Sequence, residues 1–117
     1  MNPKRGDRVA PPPGPDDWDI RFHDNAAASG WEELCRHAPA NTLRAWQFMR
    51  TRPGPPETER HHRLRADLST RKVGGQELEQ WQIEVTGGGR IWYCLDQQNR
   101  KVWIVRAGTG HPRLTDA

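Results

Sequence analysis

The sequence lacks a long hydrophobic run: none of its 117 residues belongs to a stretch approaching the roughly 18 consecutive apolar residues of a membrane span. No apolar segment follows the N-terminal basic residues either, so we expect no secretory signal. Cysteine is scarce. Cys35 and Cys94 each lie inside a regular pattern, and without an export signal we expect both to be reduced. These absences predict a cytoplasmic protein with no membrane partner.

Hydrophobic residues make up only 33% of the chain, yet six of them are tryptophans, which bury a large area each. A chain of this length is sufficient for one domain with one core. Residues 1–17 are rich in proline and show no hydrophobic periodicity, which predicts a disordered tail. We therefore expect a single domain over residues 18–117.

Charge is unevenly distributed along the chain. Residues 1–33 carry four basic and seven acidic residues, residues 34–72 carry nine and three, and residues 73–117 carry five of each. The basic middle third includes a polar segment at about 53–76, which we predict to be a basic loop. Such a segment indicates a polyanionic partner, although a solvated surface or an acidic protein partner explains it equally well.

Hydrophobic spacing predicts the order strand, helix, helix and then three strands. Residues 18–24 alternate apolar and polar side chains, which is typical of a strand with one buried face. A helix capped by Asp24 or Asn25 follows and is expected to stop at Pro39; Asn41 is the expected cap of a second helix. Three strands joined by hairpin-like turns complete the chain. This order predicts an α+β fold, with two N-terminal helices packed on a small, mainly antiparallel sheet.

The first hairpin of that sheet contains three consecutive glycines, and burial decides its register. A loop made of Gly87–Gly89 places Thr86 opposite Arg90 and Val85 opposite Ile91, so that one face becomes wholly apolar. A two-residue loop would mix apolar and polar side chains on both faces. We therefore predict the three-residue loop.

That register turns several polar side chains toward the uncovered face. Glu84, Arg90 and Trp92 share it, and Arg90 lies at the end of the sheet where the tail carrying His111 arrives. We therefore expect Glu84, Arg90 and His111 to converge in one shallow site. The sequence does not determine the face on which Arg106 lies, because the second turn is longer than the first.

Several motifs resemble the RelE/ParE superfamily of bacterial toxins: Leu64-Arg65, Trp81–Val85, Gly89–Tyr93, Val102–Gly108 and His111. The resemblance covers roughly residues 18–112. It implies a toxin of a type II toxin–antitoxin pair, neutralised by a cognate antitoxin. Many RelE-like members are mRNA interferases that cleave mRNA on the ribosome, whereas ParE-like members act on DNA gyrase.

The resemblance also implies roles for individual residues. Arg90 matches the arginine that contacts the scissile phosphate, His111 matches a C-terminal acid or base, and Arg65 matches a basic position before the sheet. Where RelE has two lysines on the first strand of the meander, this chain has Gln82 and Glu84. Without these lysines, the version of the reaction that remains uses a histidine and a carboxylate.

Cleavage of RNA without a metal requires a base, an acid and a cation for the phosphate. Histidine serves as acid or base near neutral pH, and arginine binds phosphate with two parallel donors. We therefore predict Arg90, His111 and Glu84 as catalytic residues of a metal-independent endoribonuclease without a cofactor.

The predicted substrate-binding residues are His62, Arg65, Trp92 and Arg106, with Trp92 available to stack on a base or to be covered by a segment of the antitoxin. Simpler interpretations remain: Arg90 forms a surface ion pair with Glu84, or the histidines are solvated. No pair of candidate metal ligands has a recognised spacing, so no metal is expected. A non-nucleolytic toxin or binding module acting on gyrase or another protein is the alternative function.

Overall fold

A computed structural model describes residues 3–9 and 11–110. The elements in chain order are β1 (Asp19–Phe22), α1 (Asn25–His37), α2 (Pro39–Thr51), β2 (His61–Arg63), a 3-10 turn (Ala66–Leu68), β3 (Thr70–Val73), β4 (Gln76–Glu84), β5 (Arg90–Asp96) and β6 (Lys101–Gly108). The predicted α+β class, with two helices and a mainly antiparallel sheet, is confirmed.

The six strands form one sheet in the order β1-β6-β5-β4-β2, with β3 also paired to β4. β1 runs parallel to β6, whereas the other paired neighbours are antiparallel. The segment at 53–76, predicted as a basic loop, contains β2 and β3. Both strands are only three or four residues long, so their alternation is too brief to be recognised in the sequence.

The two helices are separated by a single residue. Of the two predicted capping residues, Asp24 is the one that caps α1: it accepts a hydrogen bond from the backbone N–H of Ala27 at 2.8 Å. α2 begins at Pro39 and not after Asn41, and its capping residue, Ala38, makes no side-chain cap. Proline suits the first helical position, because its φ is already helical and its missing N–H would have no partner there. Pro39 therefore starts the second helix as well as following the first.

The hairpin between β4 and β5 has a three-residue loop, but the predicted register is wrong by two residues. Val85 donates its N–H to the carbonyl oxygen of Gly89 at 2.9 Å, which leaves residues 86–88 as the loop. Glu84, not Thr86, lies opposite Arg90. The hydroxyl of Thr86 accepts the N–H of Gly89 at 2.7 Å and so closes the loop one residue earlier. Because side chains alternate with a period of two, a shift of two leaves every side chain on its predicted face.

Residues 6–9, inside the segment predicted as a disordered tail, lie along the free edge of β1. Gly6 and Val9 donate their N–H groups to Phe22 and Ile20 at 2.9 and 2.8 Å, and the side chain of Val9 is buried. Pairing through the backbone requires no hydrophobic periodicity, which explains why the sequence pattern does not reveal it.

The main core lies between the helices and one face of the sheet, and contains Trp31, Leu34, Trp46, Trp81 and Tyr93 among others. The other face carries Gln82, Glu84, Arg90, Trp92 and Cys94, and we call it the outer face. A small second cluster of Val73, Cys94 and Val105 is buried on this side, with Leu78, Trp92 and Trp103 packed against it. Within the described residues, no helix has the length and apolar character needed to cross a membrane.

Candidate nucleic-acid interface

Four side chains form a row across the outer face. His62 on β2 lies opposite Gln82 on β4, Gln82 lies opposite Trp92 on β5, and Trp92 lies opposite Arg106 on β6. Directly opposed residues share a face and have Cβ atoms about 5 Å apart. This cross-strand row therefore brings together three of the four predicted substrate-binding residues.

An irregularity in β6 explains why Arg106 lies on the outer face. Between the pair Trp92–Arg106 and the pair Tyr93–Ile104 the register shifts by one, so Val105 is an extra residue. A bulge of this kind changes which face the following residues occupy. Trp103 and Arg106 therefore lie on the same face, although they are three positions apart in the strand.

Contacts within the row orient its aromatic and basic groups. Trp92 Nε1 donates a hydrogen bond to Gln82 Oε1 at 2.8 Å, and the guanidinium carbon of Arg106 lies 5.2 Å from the centre of the Trp92 ring. His62, Gln82 and Trp92 are half-buried, whereas Arg106 is exposed. The row presents an indole fixed by a hydrogen bond beside a cation that solvent reaches.

The imidazole of His62 is oriented by the backbone. Its Nδ1 lies 3.0 Å from the carbonyl oxygen of Arg63, and a carbonyl oxygen only accepts hydrogen bonds. Nδ1 therefore carries the proton in the neutral ring, and the lone pair is on Nε2, to which no residue of the described part of the chain donates. The sequence analysis assigned acid–base work to His111 and Glu84 and substrate binding to His62.

Arg90 and Glu84 are in contact, as both the catalytic prediction and the simpler ion-pair interpretation require. Arg90 Nη1 lies 3.5 Å from Glu84 Oε1. The same nitrogen donates to the carbonyl oxygens of Thr86, Gly87 and Gly89 at 3.2–3.4 Å. Among the hydrogen bonds of the described residues, Nη1 is the donor atom of Arg90, and Nη2 and Nε have no acceptor there.

His111 lies outside the described residues, but the chain leading to it is described. A Cβ atom on Gly110 would lie 2.0 Å from the carbonyl oxygen of Gly88, so the two backbones are in direct contact. Gly110 has a φ of +86°, which favours glycine at this position. The described chain therefore ends against the glycine loop that precedes Arg90.

Arg65 lies apart from the row. Its guanidinium is 3.5 Å from Glu57 Oε1 and its side chain is 76% exposed. Arg65 and His62 both line a surface depression of about 600 Å³, together with Glu57 and Glu59. Because Glu57 already pairs with the Arg65 guanidinium, an anion that binds Arg65 must compete with that carboxylate.

Sequence reasoning missed the role of His61, for which it offered only the interpretation of a solvated histidine. His61 is buried, and its ring stacks on Trp81 with centroids 4.8 Å apart. His61 Nε2 lies 2.6 Å from the hydroxyl of Tyr93, which donates to the carbonyl oxygen of Pro53 at 2.7 Å. Burial lowers the pKa of His61, with hydrogen bonds to backbone carbonyls opposing it, and burial raises the pKa of Tyr93 well above its usual value.

His61 anchors β2 to the core and so turns the next residue, His62, toward the outer face. Two adjacent histidines in a strand must point to opposite faces, and this signal was present in the sequence. What the sequence did not indicate was that the segment is a strand.

Among residues 3–9 and 11–110, no three His, Cys, Asp or Glu side chains are grouped so that they could hold a metal ion. Comparison with known proteins gives no identification: no protein-family model matches the chain, and no curated protein matches it. The arrangement of the outer face itself is therefore the basis for a functional proposal.

Proposed function

We propose that the protein is a RelE-like toxin of a type II toxin–antitoxin pair, which inhibits translation by cleaving mRNA on the ribosome. The cross-strand row carries this proposal, because it combines a histidine with a free Nε2, an ordered indole and an exposed arginine on one face. The order of helices and strands and the motifs around Arg90 support the RelE/ParE-like assignment of the fold.

The proposed reaction needs no metal or cofactor. His62 Nε2 accepts the proton of a 2′-hydroxyl, and the 2′ oxygen attacks the adjacent phosphorus. The P–O5′ bond then breaks, leaving a 2′,3′-cyclic phosphate and a 5′ oxygen that takes a proton from His111 in its protonated form. Arg106 and the open edge of Arg90 neutralise the charge that develops on the phosphate oxygens.

Glu84 has a different role in this proposal from the acid–base role predicted from the sequence. Its carboxylate forms an ion pair with Arg90 Nη1, the nitrogen that also donates to the loop carbonyls. Glu84 is therefore a positioning residue, which holds Nη2 and Nε of Arg90 toward the open face.

Induced expression in bacteria tests the proposal through the order in which cellular processes stop. Incorporation of radiolabelled methionine is expected to fall before incorporation of thymidine, and co-expression of an antitoxin encoded beside the toxin gene is expected to restore it. His62→Gln and Arg90→Ala are each expected to reduce the rate of mRNA cleavage by about 100-fold or more. Removal of a general base typically costs about 10²–10⁴-fold, and removal of one donor to the developing charge typically costs about 10²–10³-fold.

Arg36→Ala is the matched control, because it removes one positive charge from an exposed position of α1, which packs on the opposite side of the sheet. It is expected to remain fully toxic. Full toxicity of both His62→Gln and Arg90→Ala, at equal expression, would show that the proposed site is wrong.

A non-nucleolytic, ParE-like toxin or binding module is the second candidate, and one contact favours it. Arg90 Nη1 is engaged by Glu84 and by its own loop, an arrangement that shapes a binding surface without any acid or base. This candidate predicts DNA damage and an early stop in replication while translation continues, and toxicity that survives His62→Gln.

A further inference from the structure

The outer face carries a second tryptophan beside the cross-strand row. Trp103 lies opposite Cys94, two residues along β5 from Trp92. The bulge at Val105 places Trp103 on this face, because without it the alternation of β6 would turn Ile104 outward instead. Two half-buried indoles thus lie diagonally adjacent on neighbouring strands, so that one ligand can contact both rings.

Each of these indoles has its own cation. The Arg106 guanidinium carbon lies 5.2 Å from the Trp92 ring centre, and Lys101 Nζ lies 6.0 Å from the Trp103 ring centre. In the described part of the chain, no carboxylate oxygen is within 4.0 Å of either cation. Both charges are therefore available to an anionic ligand.

The two indoles rest on a packed layer. Trp92 and Trp103 pack against the buried side chains of Val73, Cys94 and Val105. Gln80, opposite Cys94, accepts a hydrogen bond from Arg71 Nε at 2.8 Å. A supported aromatic surface loses little conformational entropy when a ligand stacks on it. Aromatic groups alternating with cations are the arrangement by which proteins bind single-stranded nucleic acids.

We infer that Trp92 and Trp103 bind two successive unpaired bases of the RNA, while Arg106 and Lys101 contact the flanking phosphates. The inference rests on the proposed function for its choice of RNA as the ligand. Charge complementarity favours a polyanion, and the two indoles favour one that carries exposed planar bases. An acidic protein segment offers the same charge but no stacking partner for the indoles.

Binding is measured with the full-length protein and a 2′-O-methyl RNA hexamer, which lacks the 2′-hydroxyl needed for cleavage. A second hexamer has the same backbone but abasic residues throughout. Trp103→Leu is expected to weaken binding of the normal hexamer about 5- to 150-fold, the range for loss of one stacked base. It is expected to leave binding of the abasic hexamer unchanged, because the phosphate contacts persist.

Trp18→Leu is the matched control. Trp18 is also half-buried and also has an arginine over its ring, Arg100 at 5.0 Å, but it packs against the main core away from the outer face. Its replacement should change neither affinity. Circular dichroism and the melting temperature of each variant confirm that the domain remains folded, and Trp103→Phe, which keeps a smaller aromatic ring, should recover part of the lost affinity.

Three results would overturn the inference. The first is a hexamer that does not bind, and the second is an equal loss of affinity for normal and abasic hexamers in Trp103→Leu. The third is a polyglutamate peptide that binds in a Trp103-dependent manner while the hexamer does not, which would assign the face to an acidic protein. These binding experiments do not test the proposed function, which is tested by mRNA cleavage and by His62→Gln. Base stacking without cleavage would support the inference and reject the nuclease.

Discussion

Substitution of Gly30 by alanine tests how α1 is attached to the sheet. Gly30 is buried in the middle of α1, and a Cβ atom there would lie 1.9 Å from the carbonyl oxygen of Ala107 on β6. In an isolated helix the same change would be favourable by about 1 kcal/mol, because alanine has the higher helix propensity. The contact between helix and sheet therefore predicts that Gly30→Ala lowers stability, whereas helix propensity alone predicts that it raises stability.

The size of the effect follows from the distance. The Cβ would be roughly 1.5 Å closer than the 3.4 Å at which ordinary contact begins, and its neighbour is a backbone atom that no rotamer change can move. Overpacking of this kind typically costs about 1–3 kcal/mol. With the upper end of that range and the gain in propensity, we expect a net loss of about 2 kcal/mol in the free energy of unfolding.

Calorimetry and urea unfolding measure this loss. For a domain of this size, about 2 kcal/mol corresponds to a fall of about 8 °C in the melting temperature. Ser29→Ala is the control, since Ser29 is the exposed neighbour on the same helix and its replacement should raise stability by about 0.5 kcal/mol. If Gly30→Ala also raises the melting temperature, then α1 does not approach β6 as closely as described, and the reasoning fails.

Three further predictions concern the buried polar groups. The pKa of His61 is lowered, so the unfolded chain binds a proton more readily than the folded protein. The free energy of unfolding should therefore decline as the pH falls below about 6.5. Urea titrations at pH 7.5 and 5.5 should show a smaller decline for His61→Phe than for the unmodified protein. Tyr93→Phe removes the donor to the Pro53 carbonyl oxygen and should cost about 1–3 kcal/mol, which chemical unfolding measures; an unchanged midpoint would contradict the hydrogen bond. Burial raises the pKa of the Cys94 thiol to about 12. Iodoacetamide at pH 8 should therefore modify half-buried Cys35 before Cys94. Mass spectrometry that shows Cys94 alkylated first would refute this.

Local patterns predicted the long elements and their faces. The alternation of Trp81 and Ile83 in β4, and of Ile91 and Tyr93 in β5, was sufficient to identify buried faces, because each strand repeats the pattern several times. The cap at Asp24 was equally local. The register between β4 and β5 was missed by two residues, since both registers bury the same faces and only the hydrogen bonds of the loop distinguish them.

Short elements escaped prediction for a related reason. β2 has three residues and one buried side chain, His61. A histidine in the sequence does not by itself indicate a core position. Its burial depends on Trp81, Tyr93 and the carbonyl of Pro53, which come from distant parts of the chain. Without β2, the sequence had no means of placing His62 opposite Gln82.

The sequence by itself determined that Glu84, Arg90 and Trp92 point away from the core, because the period of a strand is a local property that burial makes unambiguous. Only the tertiary structure decided which of these side chains are neighbours. Pairing between strands assembled the cross-strand row, and one extra residue, Val105, brought Arg106 and Trp103 to the same face. Alternation within a strand selects a face, whereas hydrogen bonding between strands selects the partners on it.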